Sequence, residues 1–268
     1  MRKLGLIAGN GVFPMEVAAA ARRHGIRIIA VAHRGESRPE LEPLCDEITW
    51  INVGEMQRIV DVLKAARVSE AAMAGGIARS RLSQSFKPDA RALKMLSRIK
   101  RFSDDTVLRA VAGEIESEDI PVIDPVPLMD GALAGAGRQA GPELTPAYLN
   151  DMKLAFAVMS ALGNFDIGQA VVVHQGVVAA IEAVEGTDQA LRRAAALCGR
   201  GLVIAKAAKR SQDLRFDRPA IGPATIDTLA ELGAAAIGVA ASQALILERA
   251  RTIELAEQKN VTIYGYGE

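Results

Sequence analysis

Short apolar runs alternate with amphipathic stretches along the first half of the chain. The runs with strand character are residues 4–8, 28–32, 71–74 and 121–123, and apolar residues recur at helical spacing over 14–24, 56–66 and 104–118. Strands that alternate with helices in this way form βαβ units, in which the strands lie parallel in one sheet. The pattern predicts an α/β fold for residues 1–128, a Rossmann-like open parallel sheet with both faces covered.

The second half of the chain is also mixed α and β. Residues 129–146 are rich in Gly, Ala and Pro with little periodicity, which predicts a linker. Beyond it the pattern predicts helices at 149–160, 188–198, 225–232 and 242–259, and strands at 170–174, 177–183, 202–205, 235–239 and 262–264. Gln175-Gly176 predicts a tight hairpin turn, because Gly accepts a positive φ. We therefore predict a second, mixed α/β domain over 147–268.

Composition narrows the class of protein. A chain of 268 residues, half of them apolar, has enough material for two buried cores. Its 32 basic and 32 acidic side chains balance, so no nucleic-acid partner is expected. Cys45 and Cys198 lie far apart, no secretory signal is recognisable, and the apolar run at 232–247 is too short and too polar to span a bilayer. A reduced, cytoplasmic location is expected.

Glycine-rich turns follow two of the predicted strands. Gly9-Asn10-Gly11 comes directly after the first strand, and Gly75-Gly76 follows the strand at 71–74. The carboxyl ends of parallel strands line the ligand crevice of an open sheet, where bare amides can approach a phosphate or a nucleotide. A tight strand-to-helix turn explains the same residues without a ligand. NAD binding is disfavoured for two reasons. The third glycine of the dinucleotide fingerprint is missing, and the end of the second strand, residues 30–34, contains no Asp or Glu.

Two acidic helix starts have both a structural and a functional interpretation. Ser103-Asp104-Asp105 opens one predicted helix, and Glu185-Gly186-Thr187-Asp188 opens another. Such residues cap free amides and complement the helix dipole. The same carboxylates could also reach a metal or a ribose, and Gly186 beside Asp188 suits an anion or metal pocket. Both interpretations stay open.

The most polar segment, residues 206–225, follows a buried-looking strand. It combines Lys and Arg suited to phosphate oxygens, carboxylates suited to a hard cation, and Pro and Gly that restrict the backbone. Pyrophosphate cleavage needs all three, whereas a solvated surface loop would need only the charge. The three histidines share no ligand spacing and no GxSxG elbow occurs, so neither a zinc site nor an acyl-transfer triad is expected.

Four motifs together indicate a known family. They are residues 5–14, Asp166-Ile167-Gly168-Gln169, residues 182–188 and residues 206–225. On these motifs the chain resembles, over essentially its whole length, the UDP-2,3-diacylglucosamine pyrophosphatases formerly grouped as a domain of unknown function, which are unrelated to the calcineurin-like enzymes of the same step. The resemblance implies a Rossmann-like domain, a distinct C-terminal domain, a homodimer and the use of Mg²⁺ or a similar ion. It also implies water attack on the α-phosphate of UDP-2,3-diacylglucosamine, which releases UMP and 2,3-diacylglucosamine 1-phosphate (lipid X) in lipid A biosynthesis.

The resemblance also ranks the residues. The family's essential aspartate lies in the loop matched here by Arg215-Phe216-Asp217, which makes Asp217 the first catalytic candidate. Two places depart from the family pattern: Ala240-Ala241-Ser242 replaces the usual Glu-Ala-Gly, and Ala208 and Ser211 replace prolines or glycine. If the absent glutamate serves the metal or the substrate, activity should be weak.

The predicted mechanism is metal-assisted hydrolysis by the following residues. The catalytic candidates are Asp217, Asp213, Lys206, Lys209 and Arg215, and the candidate ligands of Mg²⁺ or Mn²⁺ are Asp217, Asp213 and Glu185. The substrate-binding candidates are Gly9, Asn10, Gly11, Gly75, Gly76, Asp104, Gln169, Gly186, Thr187, Asp188, Gln212, Gly222 and Thr225. The expected partners are a nucleotide-activated lipid, a second copy of the chain and, transiently, the inner-membrane surface. The alternatives are an oxidoreductase that uses NAD or a nucleotide sugar, and a non-catalytic nucleotide-lipid carrier.

Overall fold

The chain folds into two compact units. The computed structural model describes residues 2–78, 86–100, 102–165, 167–209 and 212–267, so Asp166 of the family motif and Ser211 lie outside the described residues. The first unit comprises Met1–Asp130 and Asp213–Asp217, and the second comprises Gly131–Gln212 and Arg218–Glu268. The first unit contains a parallel sheet and the second a mixed sheet, which confirms the predicted α/β class.

The first unit is a four-stranded parallel sheet with helices. Its elements are β1 (Lys3–Ala8), α1 (Phe13–Arg23), β2 (Arg27–His33), β3 (Glu47–Ile51), α2 (Met56–Ala66), β4 (Glu70–Ala74), α3 (Ala90–Leu96) and α4 (Asp104–Glu116). The sequence pattern missed β3 and α3. β3 begins with a charged residue and only Ile51 in it is buried, and α3 has 7 residues, so neither shows a strong periodicity.

The strand order of this sheet, β3-β2-β1-β4, reverses direction between β1 and β4. The chain first steps outward from β1 through β2 to β3, and then crosses back to place β4 on the other side of β1. The register pairs Ala8 of β1 with Ala74 of β4, so the turns that follow these two strands are neighbours. A reversal of this kind creates the crevice in which open α/β sheets bind ligands.

One segment from late in the sequence completes the core of the first unit. The main cluster includes Ile7, Leu63 and Ile115, and Phe216 packs into it with only 6% of its surface exposed. Burial of an aromatic ring contributes a few kcal/mol, which is enough to fix the short segment around it. The segment Asp213–Asp217 therefore has its own anchor in this unit.

The second unit contains a six-stranded mixed sheet in the order β5-β12-β10-β8-β6-β7. Its elements are β5 (Gly137–Ala140), α5 (Pro146–Leu162), β6 (Ala170–His174), β7 (Val177–Ile181), α6 (Thr187–Cys198), β8 (Val203–Lys206), β9 (Ala220–Ile221), α7 (Pro223–Glu231), β10 (Ala236–Ala240), β11 (Leu245–Ile246), α8 (Arg249–Gln258) and β12 (Thr262–Tyr266). The turn between β6 and β7 has φ of 49° at Gln175 and 79° at Gly176, which confirms the predicted tight turn.

Two parts of the second unit differ from the sequence pattern. Residues 129–146 include β5, which pairs antiparallel with the last strand, β12. The single helix predicted at 242–259 is wrong: β11 pairs there with β9, and α8 begins only at Arg249. Pairing with a distant strand overrides helical spacing, which a local pattern does not reveal. Of the helices in the described ranges, none combines the length and apolar character that crossing a membrane requires.

Candidate active site

The two glycine turns of the first unit pack directly against each other. The Gly9 amide donates to Ala74 O at 2.8 Å and the Asn10 amide donates to Gly76 O at 2.8 Å. A Cβ on Gly9 would collide with Gly76 O, and a Cβ on Gly75 would collide with Asn10 O. These contacts explain the glycines by close packing, and they occupy the amides of Gly9 and Asn10. Gly11 differs, because its φ is +82° and a Cβ placed on it would meet no heavy atom of the described residues within 4 Å.

An acid missed by the sequence analysis lies at these turns. Glu36 follows β2 by three residues, and its Oε2 accepts from Asn10 Nδ2 at 3.2 Å and from the Ala78 amide at 3.0 Å. The second strand itself carries no acid, as predicted, but this acid lies just beyond its end. The chain turns back after His33, because the Ser37 hydroxyl accepts from the His33 amide and donates to Ala8 O. Only a search beyond the strand end, rather than on it, could have found Glu36.

An ion-pair network fixes the segment Asp213–Asp217 to α4. The Asp213 amide donates to Asp105 Oδ1 at 2.9 Å, and Arg109 binds Asp105 at 2.7 Å and Asp213 at 3.4 Å. The Asp213 carboxylate also accepts from Arg215 Nε and Nη2. Hydrogen bonds from Arg215 hold the pKa of Asp213 below its ordinary value. Asp213 is thus an ionised carboxylate engaged by two guanidinium groups.

All three guanidinium nitrogens of Arg215 donate hydrogen bonds within the first unit. Its Nη1 donates to Glu116 Oε1 at 2.9 Å and to Val122 O at 3.0 Å, and its guanidinium lies 5.4 Å from the ring centre of Phe216. The hydrogen bonds that Arg215 donates to Asp213 and, secondarily, to Glu116 raise its pKa. These contacts indicate that Arg215 holds the segment Asp213–Asp217 in position. If Arg215 bound a phosphate group instead, some of these hydrogen bonds would have to break.

Asp217 ends this fixed segment. It is half-buried, and its amide donates to Asp213 O at 3.1 Å. Since Phe216 and Arg215 are anchored immediately before it, the backbone of Asp217 is placed by well-defined contacts. At the start of α4, the Ser103 hydroxyl caps the helix by accepting from the Thr106 amide, and Asp104 is in the first turn. Asp105, rather than Asp104, reaches across to the segment.

Several candidate residues between 206 and 225 belong to the second unit. Their side chains mostly form hydrogen bonds with backbone atoms of that unit. Lys206 Nζ donates to Ala220 O at 3.0 Å, and the Gln212 side chain accepts from the Lys209 amide at 3.0 Å. Gly222 precedes α7, and its amide donates to Thr225 Oγ1 at 3.3 Å. The predicted polar loop is therefore divided: its two lysines and α7 belong to the second unit, while Asp213–Asp217 belongs to the first.

The acidic turn before α6 forms a separate cluster of the second unit. Gly186, at φ 82°, is the N-cap of α6 and no side chain caps the helix, so the capping role considered for Thr187 or Asp188 is not observed. Glu185 accepts from Arg193 at 2.7 Å, and this bond holds its pKa below the ordinary value. Gln169 approaches from the preceding loop, where its amide donates to Glu182 Oε2 at 3.0 Å.

Of the three predicted metal ligands, two are engaged by arginines and do not suit a divalent ion. Within the described ranges, no three His, Cys, Asp or Glu side chains group as an ion would require. Asp213 is paired with two arginines and Glu185 with one, and a carboxylate engaged in this way is a poor ligand for a hard cation. Asp213 and Glu185 therefore do not fit the metal in this arrangement, and Asp217 remains the candidate ligand.

One departure from the family pattern has a structural explanation. Ser242 stands where the family usually has glycine, and its φ is 58°. Glycine adopts this left-handed conformation without strain, whereas serine does so at some cost. The Ser242 amide donates to Ala134 O at 2.8 Å, and this bond helps to hold the turn.

Comparison with known proteins covers the whole chain. Residues 3–132 match the LpxI N-terminal domain, and residues 135–264 match the LpxI C-terminal domain. The chain is 35% identical to the UDP-2,3-diacylglucosamine pyrophosphatase LpxI of Caulobacter vibrioides over 278 aligned positions, which cover 99% of this chain and 98% of that protein.

Solved structures are only distantly similar. Phosphoribosylglycinamide synthetase from Anaerococcus prevotii is 13% identical at a TM-score of 0.28, with 71% of this chain and 42% of that chain covered. Leucoanthocyanidin reductase from Vitis vinifera, in complex with NADPH, is 17% identical at a TM-score of 0.28, with 45% and 48% covered. The chain spans less than half the length of these two proteins, and likeness at this level supports no functional argument. The match of both domains and of a full-length relative confirms the expected family: this protein belongs to the LpxI family.

Proposed function

We propose that this protein hydrolyses UDP-2,3-diacylglucosamine to UMP and 2,3-diacylglucosamine 1-phosphate, a step of lipid A biosynthesis. The observation that supports this most strongly is the 35% identity, over 99% of the chain, to a protein named for this activity. The anchored segment Asp213–Asp217 supports it from the structure, because general-base catalysis needs a carboxylate on a well-positioned backbone.

The residues divide the work of pyrophosphate cleavage in this proposal. Asp217 takes the proton of the attacking water, and positively charged side chains neutralise the phosphate charge. Asp213 and Arg215, first considered as catalytic groups, instead hold Asp217 in place through Asp105, Arg109 and Glu116. This assignment follows the contacts of the anchored segment, which leave Asp213 occupied.

We also propose a requirement for Mg²⁺ or Mn²⁺, with Asp217 among its ligands. A bound divalent ion would polarise the phosphate and lower the pKa of water. Turnover in Mg²⁺ should yield UMP and lipid phosphate in equal amounts, and should fall at least about 100-fold in excess EDTA and recover on adding Mg²⁺. Full activity in EDTA would overturn the metal requirement. No UMP in any condition would overturn the hydrolase proposal, and substrate binding without release would then favour the carrier alternative.

The alternative function, an oxidoreductase, can be tested directly against the hydrolase. It has some support, because dinucleotide-binding folds share this strand order and also have an acid near the position of Glu36. Titration with NADH should give no change in its fluorescence if the hydrolase proposal is right. A saturable change, together with a failure to release UMP, would favour the oxidoreductase.

The proposed substrate carries two acyl chains, so we further propose that the protein touches an anionic membrane surface with the segment 86–102. In the sequence this segment has six basic residues and one acid. Leu93 is 56% and Phe102 67% exposed in the same segment. Each basic side chain near an anionic membrane contributes about 1 kcal/mol to the free energy of binding. Exposed apolar side chains insert between the lipid head groups.

Charge reversal tests this surface. Lys94→Glu with Lys100→Glu should weaken co-sedimentation with vesicles that contain anionic lipid by about tenfold or more. The matched control, Lys153→Glu with Lys259→Glu, makes the same charge change in the second unit and should sediment like the wild type. Equal loss in both double variants would contradict a localised surface, and so would equal binding of the wild type to neutral vesicles.

We propose, in addition, that the protein is a homodimer in the cytoplasm. Val177 lies at the start of the sheet-edge strand β7 and Val184 follows that strand, and both are largely exposed. Exposed apolar residues at a sheet edge favour association with another chain. Cys45 and Cys198 are free thiols, which fits a reducing compartment. Light scattering should give about twice the chain mass of 28.4 kDa.

A further inference from the structure

Glu36 is a buried acid, and one of its two carboxylate oxygens has no hydrogen-bond partner among the described residues. Only 7% of its surface is exposed, and both hydrogen bonds that it accepts, from Asn10 and Ala78, go to Oε2. Its Oε1 is buried, and no residue in the described part of the chain donates to it. A buried polar atom without a partner destabilises a fold, and a charged one does so more strongly, so its presence in a native fold needs an explanation.

Glu36 lies at the place where an open parallel sheet binds its ligand. Asn10 belongs to the turn after β1, and Ala78 lies just beyond the turn after β4. The strand order reverses between these two strands, so the carboxylate sits at the carboxyl ends of the strands that flank the reversal. In the same turn as Asn10, no heavy atom of the described residues lies within 4 Å of the place that a Cβ on Gly11 would take.

The surroundings of Oε1 select a hydrogen-bond donor without negative charge. A carboxylate repels a phosphate group. The buried His33 donates from Nδ1 to Ala8 O, and burial lowers its pKa, so a neutral ring rather than a cation lies near Glu36. The Ser37 hydroxyl already donates to Ala8 O. Sugar hydroxyl groups are neutral donors that would satisfy Oε1.

We propose that Glu36 Oε1 accepts a hydrogen bond from a ribose hydroxyl of a bound nucleoside, and that the Gly9 and Gly75 turns form the floor of this ribose subsite. NAD-binding folds use an Asp or Glu, roughly 20 residues after their glycine turn, for the same purpose. The identity of the nucleoside as the uridine of the UDP-lipid rests on the proposed function. The recognition of ribose rests on Glu36 alone.

The test compares ribonucleotides with their 2′-deoxy and 3′-deoxy forms, by titration calorimetry in EDTA so that metal-bridged binding does not contribute. The wild type should bind UMP about 10- to 100-fold more tightly than at least one deoxy form, because a hydrogen bond to a charged group contributes about 1.5–3 kcal/mol. Glu36→Gln should bind all forms with affinities within about threefold of each other. Glu40→Gln, an exposed neighbour, should keep the wild-type preference.

Each outcome separates this inference from the proposed function. Equal binding of UMP and both deoxy forms by the wild type overturns the ribose assignment, and so does a preference that survives in Glu36→Gln. The wild-type comparison decides the matter even if Glu36→Gln does not fold. A ribose preference that depends on Glu36, in a protein that releases no UMP from UDP-2,3-diacylglucosamine, would support the subsite and overturn the proposed hydrolase. AMP and 2′-deoxy-AMP would then identify an adenosine ligand, and failure of every nucleotide to bind would overturn the inference.

Discussion

Replacing Asp217 with alanine should lower kcat/KM for UDP-2,3-diacylglucosamine by about 1,000-fold or more, while the melting temperature changes little. General-base catalysis contributes about 100- to 10,000-fold, and loss of a metal ligand would add to this. The side chain is half-buried at the end of a segment that Phe216 and Arg215 anchor, so its removal should leave the segment in place. Turnover and thermal unfolding, measured on the same preparation, check both parts of the expectation.

Two further variants sharpen the Asp217 experiment. Asp217→Asn keeps the size of the side chain and removes its basicity, and should be nearly as inactive as the alanine variant. Asp130→Ala removes an exposed acid of the same unit and should keep wild-type turnover. If Asp217→Ala retained more than about a tenth of the wild-type rate, the general-base role would be excluded.

Phe216→Ala should have the second largest effect, and it should act on stability as well as turnover. The ring is 6% exposed in the core of the first unit, and truncation of a buried Phe costs about 3–5 kcal/mol. In a unit of this size the melting temperature should fall by roughly 10 °C. Because the ring anchors the segment that ends at Asp217, kcat should fall even at temperatures where the variant remains folded.

A matched phenylalanine separates anchoring from general loss of apolar surface. Phe165 is 67% exposed, and Phe165→Ala should change both the melting temperature and kcat only slightly. If Phe216→Ala lowered stability but left kcat unchanged at 15 °C, the ring would be a core residue without a role in positioning Asp217. Phe216→Leu, which retains most of the buried surface, should recover part of both losses.

The sequence predicted correctly those helices and strands whose hydrophobic spacing is visible within the element itself. α2 begins at Met56 and ends at Ala66 as predicted, and β6 spans the predicted Ala170–His174. β11 could not be recognised, because its two residues become a strand only by pairing with β9. The helix predicted over 242–259 failed for this reason: tertiary pairing decided a stretch whose spacing alone favours a helix.

The chemistry of the site was less predictable than its location. Asp213, Arg215 and Asp217 all belong to one conspicuous polar loop, but their roles depend on Asp105, which is 108 positions away from Asp213. No spacing rule connects residues so distant in sequence. The same limit hid Glu36, whose partners Asn10 and Ala78 lie on either side of it in the chain and meet it only through the sheet topology. In contrast, the two glycine turns were found, because each directly follows an apolar run.

Hydrolysis of UDP-2,3-diacylglucosamine in H₂¹⁸O, with both products analysed by mass spectrometry, tests the central proposal most directly. Water that attacks the α-phosphate leaves its oxygen on UMP, so the account predicts one ¹⁸O atom in UMP and none in the lipid phosphate. Label in 2,3-diacylglucosamine 1-phosphate would place the attack on the β-phosphate. The absence of UMP would contradict the account as a whole.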